Sequence, residues 1–257
     1  MKPKVSILGC GWLGTPLANT LSASGYSVNV SSSTPRPFSN EMLSSYVIRL
    51  PECIVPHFFD CEVLIIMVPF KRHFLDPSQY LDMIMSIHPY ISTKIKQIIF
   101  TSSTMVYQAN NHRVNEDSPI DEGDRAQVLT QVERFLLDLP AIKTTILRLG
   151  GLYGPHRDIG QFALKKKVIM GDHPVNLIHQ DDCIAIISAL LKQPYHGILN
   201  AVSDTHPTRY DLYNLVLSQT HLSQIKFVSD LTQSYKIVDN TTLKRRLNFK
   251  FKNDLPF

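Results

Sequence analysis

Short apolar runs alternate along the chain with longer stretches whose apolar residues recur every three or four positions. The runs at 5–8, 26–30, 46–50, 61–68, 96–101 and 143–149 predict six strands. The helical period predicts helices from 15 to about 25, over 76–91 and over 124–139. In the last of these Ala126, Leu129, Val132 and Leu136 form a stripe broken by the single carboxylate of Glu133. The run 61–68 is almost continuously apolar, which suits a strand buried on both faces of a parallel sheet. Strand and helix signals alternate throughout, so the expected fold is α/β, a doubly wound parallel sheet with right-handed crossovers.

Beyond about residue 155 the elements shorten and polar turns multiply. Short strands are expected at 175–179 and 198–201, a helix at 181–191 opened by Asp181 and Asp182 as N-caps, and a last short helix at 243–247. The polar stretch 110–124 reads as a loop, and there is no internal repeat.

The candidate chemistry sits at the first strand. Val5-Ser6-Ile7-Leu8 runs directly into Gly9-Cys10-Gly11-Trp12-Leu13-Gly14, a G-x-G-x-x-G turn that opens an amphipathic helix ending at Gly25. Gly9 suits the tight turn, Gly11 a close approach of backbone to a pyrophosphate, and Gly14 close packing of helix on strand. Trp12 and Leu13 bring their N–H groups to the helix N-terminus, where an anion is held. An ordinary glycine-rich turn is the alternative; the strand before and the helix after favour a dinucleotide. Residues 1–155 are then a NAD(P)-binding domain of Rossmann type. Residues 156–257 form a small substrate-side cap, partly integrated in the same domain.

NAD-selective sheets place an acidic residue about 20 positions past the glycines. No Asp or Glu occurs between Gly9 and Glu41. The chain offers hydroxyls from Ser31 to Thr34, with Ser32 and Ser33 as the central candidates, and the guanidinium of Arg36. Such a set suits a 2′-phosphate, so NADP is expected ahead of NAD. The alternative is a surface loop whose Arg36 touches only water. At the carboxyl edge of the later strands Val68, Pro69, Thr101 and Ser102 complete the candidate cofactor-binding set.

Composition narrows the class further. With 44% apolar and 19% charged residues and a net charge of +4, the chain reads as a soluble globular protein long enough to bury a full core. Basic runs occur at Lys165-Lys166-Lys167 and Lys244-Arg245-Arg246, each expected to be a solvated helix end, so nucleic acid is not an expected partner. Cys10, Cys53, Cys61 and Cys183 form no C-x-x-C and no metal-ligand spacing with the ten histidines, so they are expected as buried thiols with no metal. No apolar run approaches the ~18 residues of a membrane span, and no signal-peptide pattern opens the chain. A cytoplasmic protein without membrane contact is expected.

Several stretches, read in order, resemble the extended short-chain dehydrogenase/reductase superfamily, its NAD-dependent epimerase/dehydratase group. They are the glycine turn, Thr101-Ser102-Ser103-Thr104-Met105-Val106-Tyr107, Leu147-Arg148-Leu149-Gly150-Gly151-Leu152-Tyr153-Gly154-Pro155, and Asn176-Leu177-Ile178-His179-Gln180-Asp181-Asp182. Leu199-Asn200-Ala201-Val202-Ser203-Asp204 and Lys236-Ile237-Val238-Asp239-Asn240 extend the match towards the end. The compact length and Arg125-Ala126-Gln127-Val128-Leu129 look most like the small atypical YeeZ-like branch.

The resemblance implies a catalytic Tyr-x-x-x-Lys pair on the helix after the fifth strand, where a phenol moves a proton while hydride passes to or from the nicotinamide. This chain has Arg125 and Leu129 at those positions, and no other such pair on that helix. Arg is protonated at any working pH and Leu does not titrate. The remaining catalytic candidates are Ser103, Thr104 and Tyr107, with Arg125 as a guanidinium suited to an anionic ligand. In the resemblance the second tyrosine, here Tyr107, is usually scaffold, and His179 structural; His156 and Arg157 are further candidates to line the cleft. Two functions follow. One is an NADP-dependent oxidoreductase or epimerase/dehydratase on a small polar substrate of the nucleotide-sugar kind. The other is a catalytically silent dinucleotide sensor or interaction module. A homodimer through the helices at 76–91 and 124–139 is the expected assembly.

Overall fold

A computed structural model describes residues 2–38, 40, 42–70, 76–160, 168–218, 226–228, 233–253 and 255. Seven strands pair in one wholly parallel sheet: β1 (Val5–Leu8), β2 (Val28–Ser32), β3 (Leu43–Val47), β4 (Val63–Ile66), β5 (Gln97–Ser103), β7 (Lys143–Leu149) and β11 (Gly197–Ala201). Their order is β11-β7-β5-β4-β1-β2-β3. The direction of winding reverses between β1 and β4, and in such sheets the ligand crevice opens at the carboxyl end of that point.

Alternation within the strands builds two cores. Val5, Ile7, Val63, Ile65, Ile99 and Leu147 face one side, Leu8, Leu64, Ile66, Ile98, Phe100 and Ile146 the other, all buried. The first layer is covered by α1 (Gly14–Ala23), by α4 (Gln180–Lys192) and by the last helix, α6 (Thr241–Leu247). The second is covered by α2 (Ser78–Met85) and α3 (Asp124–Leu137), which pack on each other. Two buried polar groups in the sheet satisfy each other: Asn29 Nδ2 donates to Ser6 Oγ at 3.1 Å, and Ser6 donates to the Phe58 carbonyl at 2.6 Å.

Helix α1 ends as its glycine predicts. Gly25 takes φ +81° and donates to the Ser22 carbonyl, while Tyr26 N–H reaches back to Leu21 at 3.1 Å, a Schellman closure. That closure uses residues 25 and 26, so β2 begins two residues later than the apolar run suggests. Strand β3 lies three residues earlier than predicted, because an edge strand buries little and accommodates Ser44 and Ser45 on an exposed stretch. Strand β5 continues through the hydroxyl run to Ser103, held by pairing with β7 up to Leu149. The predicted helix 76–91 breaks after Met85 into a 3-10 turn at His88–Tyr90, where Pro89 withholds a backbone donor.

The C-terminal part contributes β11 to the main sheet and adds three small parallel pairs. These join β8 (Gly151–Tyr153) to β10 (Leu177–His179), β9 (Val168–Met170) to β12 (Lys226–Val228), and β6 (Arg113–Val114) to β13 (Ile237–Val238). A further helix, α5 (Arg209–Ser218), follows β11. The stretch expected as a loop over 110–124 thus carries a short strand. Helix α4 is capped by His179 and not by an aspartate: its Nδ1 accepts the Asp181 N–H at 3.2 Å. Asp182 is buried and instead accepts the N–H groups of Lys252 and Asn253, both at 3.1 Å, which pins the tail. Lys244, Arg245 and Arg246 occupy the last turn of α6, where cations complement the helix dipole. The run 165–167 lies outside the described residues.

Candidate functional site

The carboxyl edge of β1 turns at Gly9, which adopts φ +90° and donates to Ser31 Oγ at 3.0 Å. A Cβ there would stand 3.0 Å from the Met67 carbonyl group and from Val68 N, so the loop passes too close to the end of β4 for any side chain. At Gly14 a Cβ would meet the Gly9 carbonyl at 3.3 Å, which sets the close seating of α1. Gly11 differs: nothing lies within 4 Å of an added Cβ. Its open face, and the N–H groups of Trp12, Leu13 and Gly14, which have no acceptor among the described residues, form a helix N-terminus available to an anion.

Two connected hollows flank this loop. One, of about 380 Å³, runs from Gly9–Gly14 past Met67, Pro69 and Phe70 to Thr101, Ser102 and Ser103, and on to Leu149 and Gly150. Its far wall is made by Leu129 of α3 with Met105 and Leu152, and Arg157 closes the side nearest Trp12. The other, of about 300 Å³, lies between β1, β2 and β4, with Ser31, Ser32 and Ser33 at one wall and Val68, Pro69 and Met83 at the other. Gly9 and Pro69 border both. Together they make an extended trough across the sheet edge, with the glycine turn at its middle.

Trp12 ties the turn to the second half of the chain. Its Nε1 donates to the Pro155 carbonyl at 2.6 Å, Gln180 Nε2 donates to its carbonyl at 2.9 Å, and the Arg157 guanidinium lies 4.7 Å over its ring.

Behind the trough is a buried polar network. Arg148 of β7 and Glu133 of α3 are 3% and 2% exposed and pair through Nη2–Oε2 at 2.6 Å and Nε–Oε1 at 3.1 Å. Ser102 also donates to Glu133. Burial works against the Arg148 charge, and the hydrogen bonds and charge of Glu133 more than restore it, so its pKa rises. The same guanidinium lies 4.8 Å over the Tyr107 ring.

The predicted residues divide on this geometry. Ser103 lines the trough, with its Oγ accepting the Met105 N–H at 3.2 Å, so its own proton is left to be donated. Thr104 is buried beside it and directs its hydroxyl to the Leu149 carbonyl at 3.3 Å, away from the trough. The expectation of Tyr107 as a group at the trough is corrected: its ring is 0% exposed and its hydroxyl donates to Asn200 Oδ1 at 2.6 Å. Burial pushes that phenol up to about 12, although Arg148 opposes the shift. Arg125 stacks 4.2 Å over the Phe70 ring and donates to the Phe70 carbonyl at 3.4 Å, one shell outside the lining.

Ser32 donates to the Thr34 carbonyl at 2.7 Å, and Arg36 is drawn to the Cys10 carbonyl at 3.2 Å and to Phe38. Arg36 therefore braces the glycine turn from outside the second hollow, where sequence reasoning placed it inside. His156 does not line either hollow, and the His179 ring serves as a cap packed on Tyr153. Arg49, Tyr80 and Met67 are lining residues that sequence reasoning missed. All four cysteines are free, and burial raises the Cys10 thiol to about 11, so it stays protonated at neutral pH. Among the described residues no group of His, Cys, Asp and Glu could hold a metal ion, and no helix is long and apolar enough to cross a membrane.

No protein-family model matches the chain. Protein YeeZ of Escherichia coli strain K12 is 34% identical over 97% of this chain and 96% of its own length. The chain belongs to the YeeZ family. The fold of this YeeZ-family chain is shared with proteins solved with NAD. UDP-glucuronic acid 4-epimerase from Bacillus cereus, solved with NAD, superposes with a TM-score of 0.82 at 18% identity, covering 98% of this chain and 94% of that one. The Bordetella bronchiseptica enzyme WbmG, also solved with NAD, gives 0.82 at 16% identity, covering 99% and 91%. These likenesses show that the YeeZ-family chain has the same Rossmann-like α/β fold as these two proteins.

Proposed function

We propose that this protein is a nicotinamide-dinucleotide-dependent oxidoreductase or epimerase/dehydratase acting on a small polar substrate of the nucleotide-sugar class, with NADP preferred to NAD. The observation that carries it is the continuous trough centred on a glycine turn with unpaired N–H groups. Two hollows that meet at Gly9 and Pro69 suit a dinucleotide lying across the switch point with its pyrophosphate at α1. Relatives in fold solved with NAD support the same reading, and the described lining of the second hollow, which holds Arg49 and three serines and no carboxylate, supports the 2′-phosphate.

A bound nicotinamide would supply or accept a hydride. Ser103 presents a donor hydroxyl to a substrate oxygen, while Leu129, Leu149 and Leu152 exclude water from that end. In the described lining of the first hollow the ionisable side chains are Tyr80 and Arg157, and Tyr80 spends its hydroxyl on the Val68 carbonyl at 2.7 Å.

Thermal denaturation with NADP, NADPH, NAD and NADH at equal concentration tests the cofactor. A ligand at about 100 times its Kd stabilises the fold by about 2.7 kcal/mol, roughly 5–10 °C for a chain of this size. The larger shift is expected with the phosphorylated pair, and no shift with any of the four overturns the proposal.

Arg125 is proposed to hold an anionic group of the substrate next to Phe70. Arg125→Ala is expected to weaken binding of UDP, used as a nucleoside diphosphate probe, by about tenfold, in line with loss of one charge-assisted hydrogen bond. Isothermal titration with NADP present measures it, and unchanged affinity would leave Arg125 a packing role alone.

A further inference from the structure

We propose that Arg49, and not Arg36, is the cation that reads the adenosine 2′-phosphate. This rests on the dinucleotide reading above and names the residue that sets its selectivity.

Position comes first. Arg49 lies two residues past the end of β3, just beyond the rung where Ser32 of β2 pairs with Val47, and it lines the second hollow together with Ser32 and Ser33. The walls of that hollow above and below are apolar, Leu8, Ile48 and Pro69 among them, and fit the faces of a purine. The polar corner made by the two serines and Arg49 is where the ribose edge of such a purine would emerge.

Charge comes second. Arg49 is exposed and forms no ion pair among the described residues. Its backbone is anchored, with N–H to the Cys53 carbonyl at 2.9 Å and its own carbonyl accepting from Cys53 at 2.6 Å. A guanidinium on a fixed backbone, in a hollow that Ser32 and Ser33 also line and with no carboxylate in its described lining, suits a phosphate dianion held by two parallel N–H donors. Arg36 cannot fill that role without giving up the Cys10 carbonyl that it braces and its place beside Phe38, 5.6 Å from the ring.

Each arginine therefore carries a different signature. Trp12, the only tryptophan, sits in the glycine turn and reports binding through its fluorescence. Titrations of NADP and NAD into the wild type, Arg49→Ala, Arg49→Lys and Arg36→Ala separate the roles. Arg49→Ala is expected to weaken NADP at least about tenfold while NAD changes less than about twofold, with Arg49→Lys recovering part of the loss. Arg36→Ala is expected to shift both dinucleotides alike, because it acts on the turn that they share. Equal loss of NADP and NAD in Arg49→Ala, unchanged NADP affinity in that variant, or a wild type that prefers NAD overturns the assignment to Arg49 while leaving the dinucleotide reading intact. A wild type that binds neither overturns both.

Discussion

Glu133→Ala is expected to destabilise the protein by about 3–5 kcal/mol, the usual cost of leaving a buried ion without its partner. Both members of the pair are almost fully buried, so Arg148 would keep its charge with no water to solvate it. Ser102 would lose its acceptor in the same step. Against a total stability of about 5–15 kcal/mol this is a large fraction, visible as a lower urea midpoint at unchanged slope. The double variant Glu133→Leu with Arg148→Met is expected to be more stable than Glu133→Ala alone, since it removes both charges and keeps the volume. A loss below 1 kcal/mol in the single variant would mean that water reaches the pair.

The position of this pair explains why it matters beyond stability. Glu133 comes from α3, Arg148 from β7 and Ser102 from β5, so three elements meet at one carboxylate just behind the trough. Ser103, the hydroxyl proposed to meet substrate, is the next residue along β5. One turn of helix from Glu133 towards the N-terminus is Leu129, which faces the trough where the resemblance implies a lysine. Leu129 does not titrate, and this is why the proposal gives Ser103 the substrate oxygen and assigns no proton carrier.

What could be read in the sequence depended on how far local chemistry and tertiary environment agree. Strand β7 keeps its predicted bounds, 143–149, because the β-branched and apolar side chains of Thr144, Thr145, Ile146, Leu147 and Leu149 suit a central strand buried on both faces. The glycine turn was legible because its residues answer to local backbone geometry: an added Cβ would come within 3.0 Å of backbone at Gly9 and 3.3 Å at Gly14. Edge strand β3 was misplaced because one side of it meets solvent and its serines carry no hydrophobic signal. Arg36 was visible as the one basic residue near the end of β2, yet its direction was set by a carbonyl 26 residues earlier in the chain. Arg49 could have been found as the first cation after the neighbouring strand. For Tyr107 the residues alone left a catalytic role open while the resemblance implied scaffold, and its phenol, turned into the packed interior towards Asn200, agrees with the second.

Gly11→Ala is expected to abolish most dinucleotide binding while leaving the fold intact, which separates it from its two neighbours in the motif. An added methyl at Gly11 meets no atom within 4 Å, so stability should change by less than about 0.5 kcal/mol. The same methyl would stand on the open face where the pyrophosphate must touch backbone, and a displaced anion loses several charge-assisted hydrogen bonds at once. A fall in NADP affinity of at least about 100-fold is expected, read from Trp12 fluorescence. Gly9→Ala has the opposite balance. At φ +90° an L residue is strained by roughly 1–2 kcal/mol, and its Cβ would press on the backbone of Met67 and Val68 at 3.0 Å, so stability and binding should fall together. Thermal melting of the two variants side by side, each with and without NADP, distinguishes them. If Gly11→Ala bound NADP as tightly as the wild type, the open face would not be where the ligand lies, and the trough would have lost the anchor on which its assignment depends.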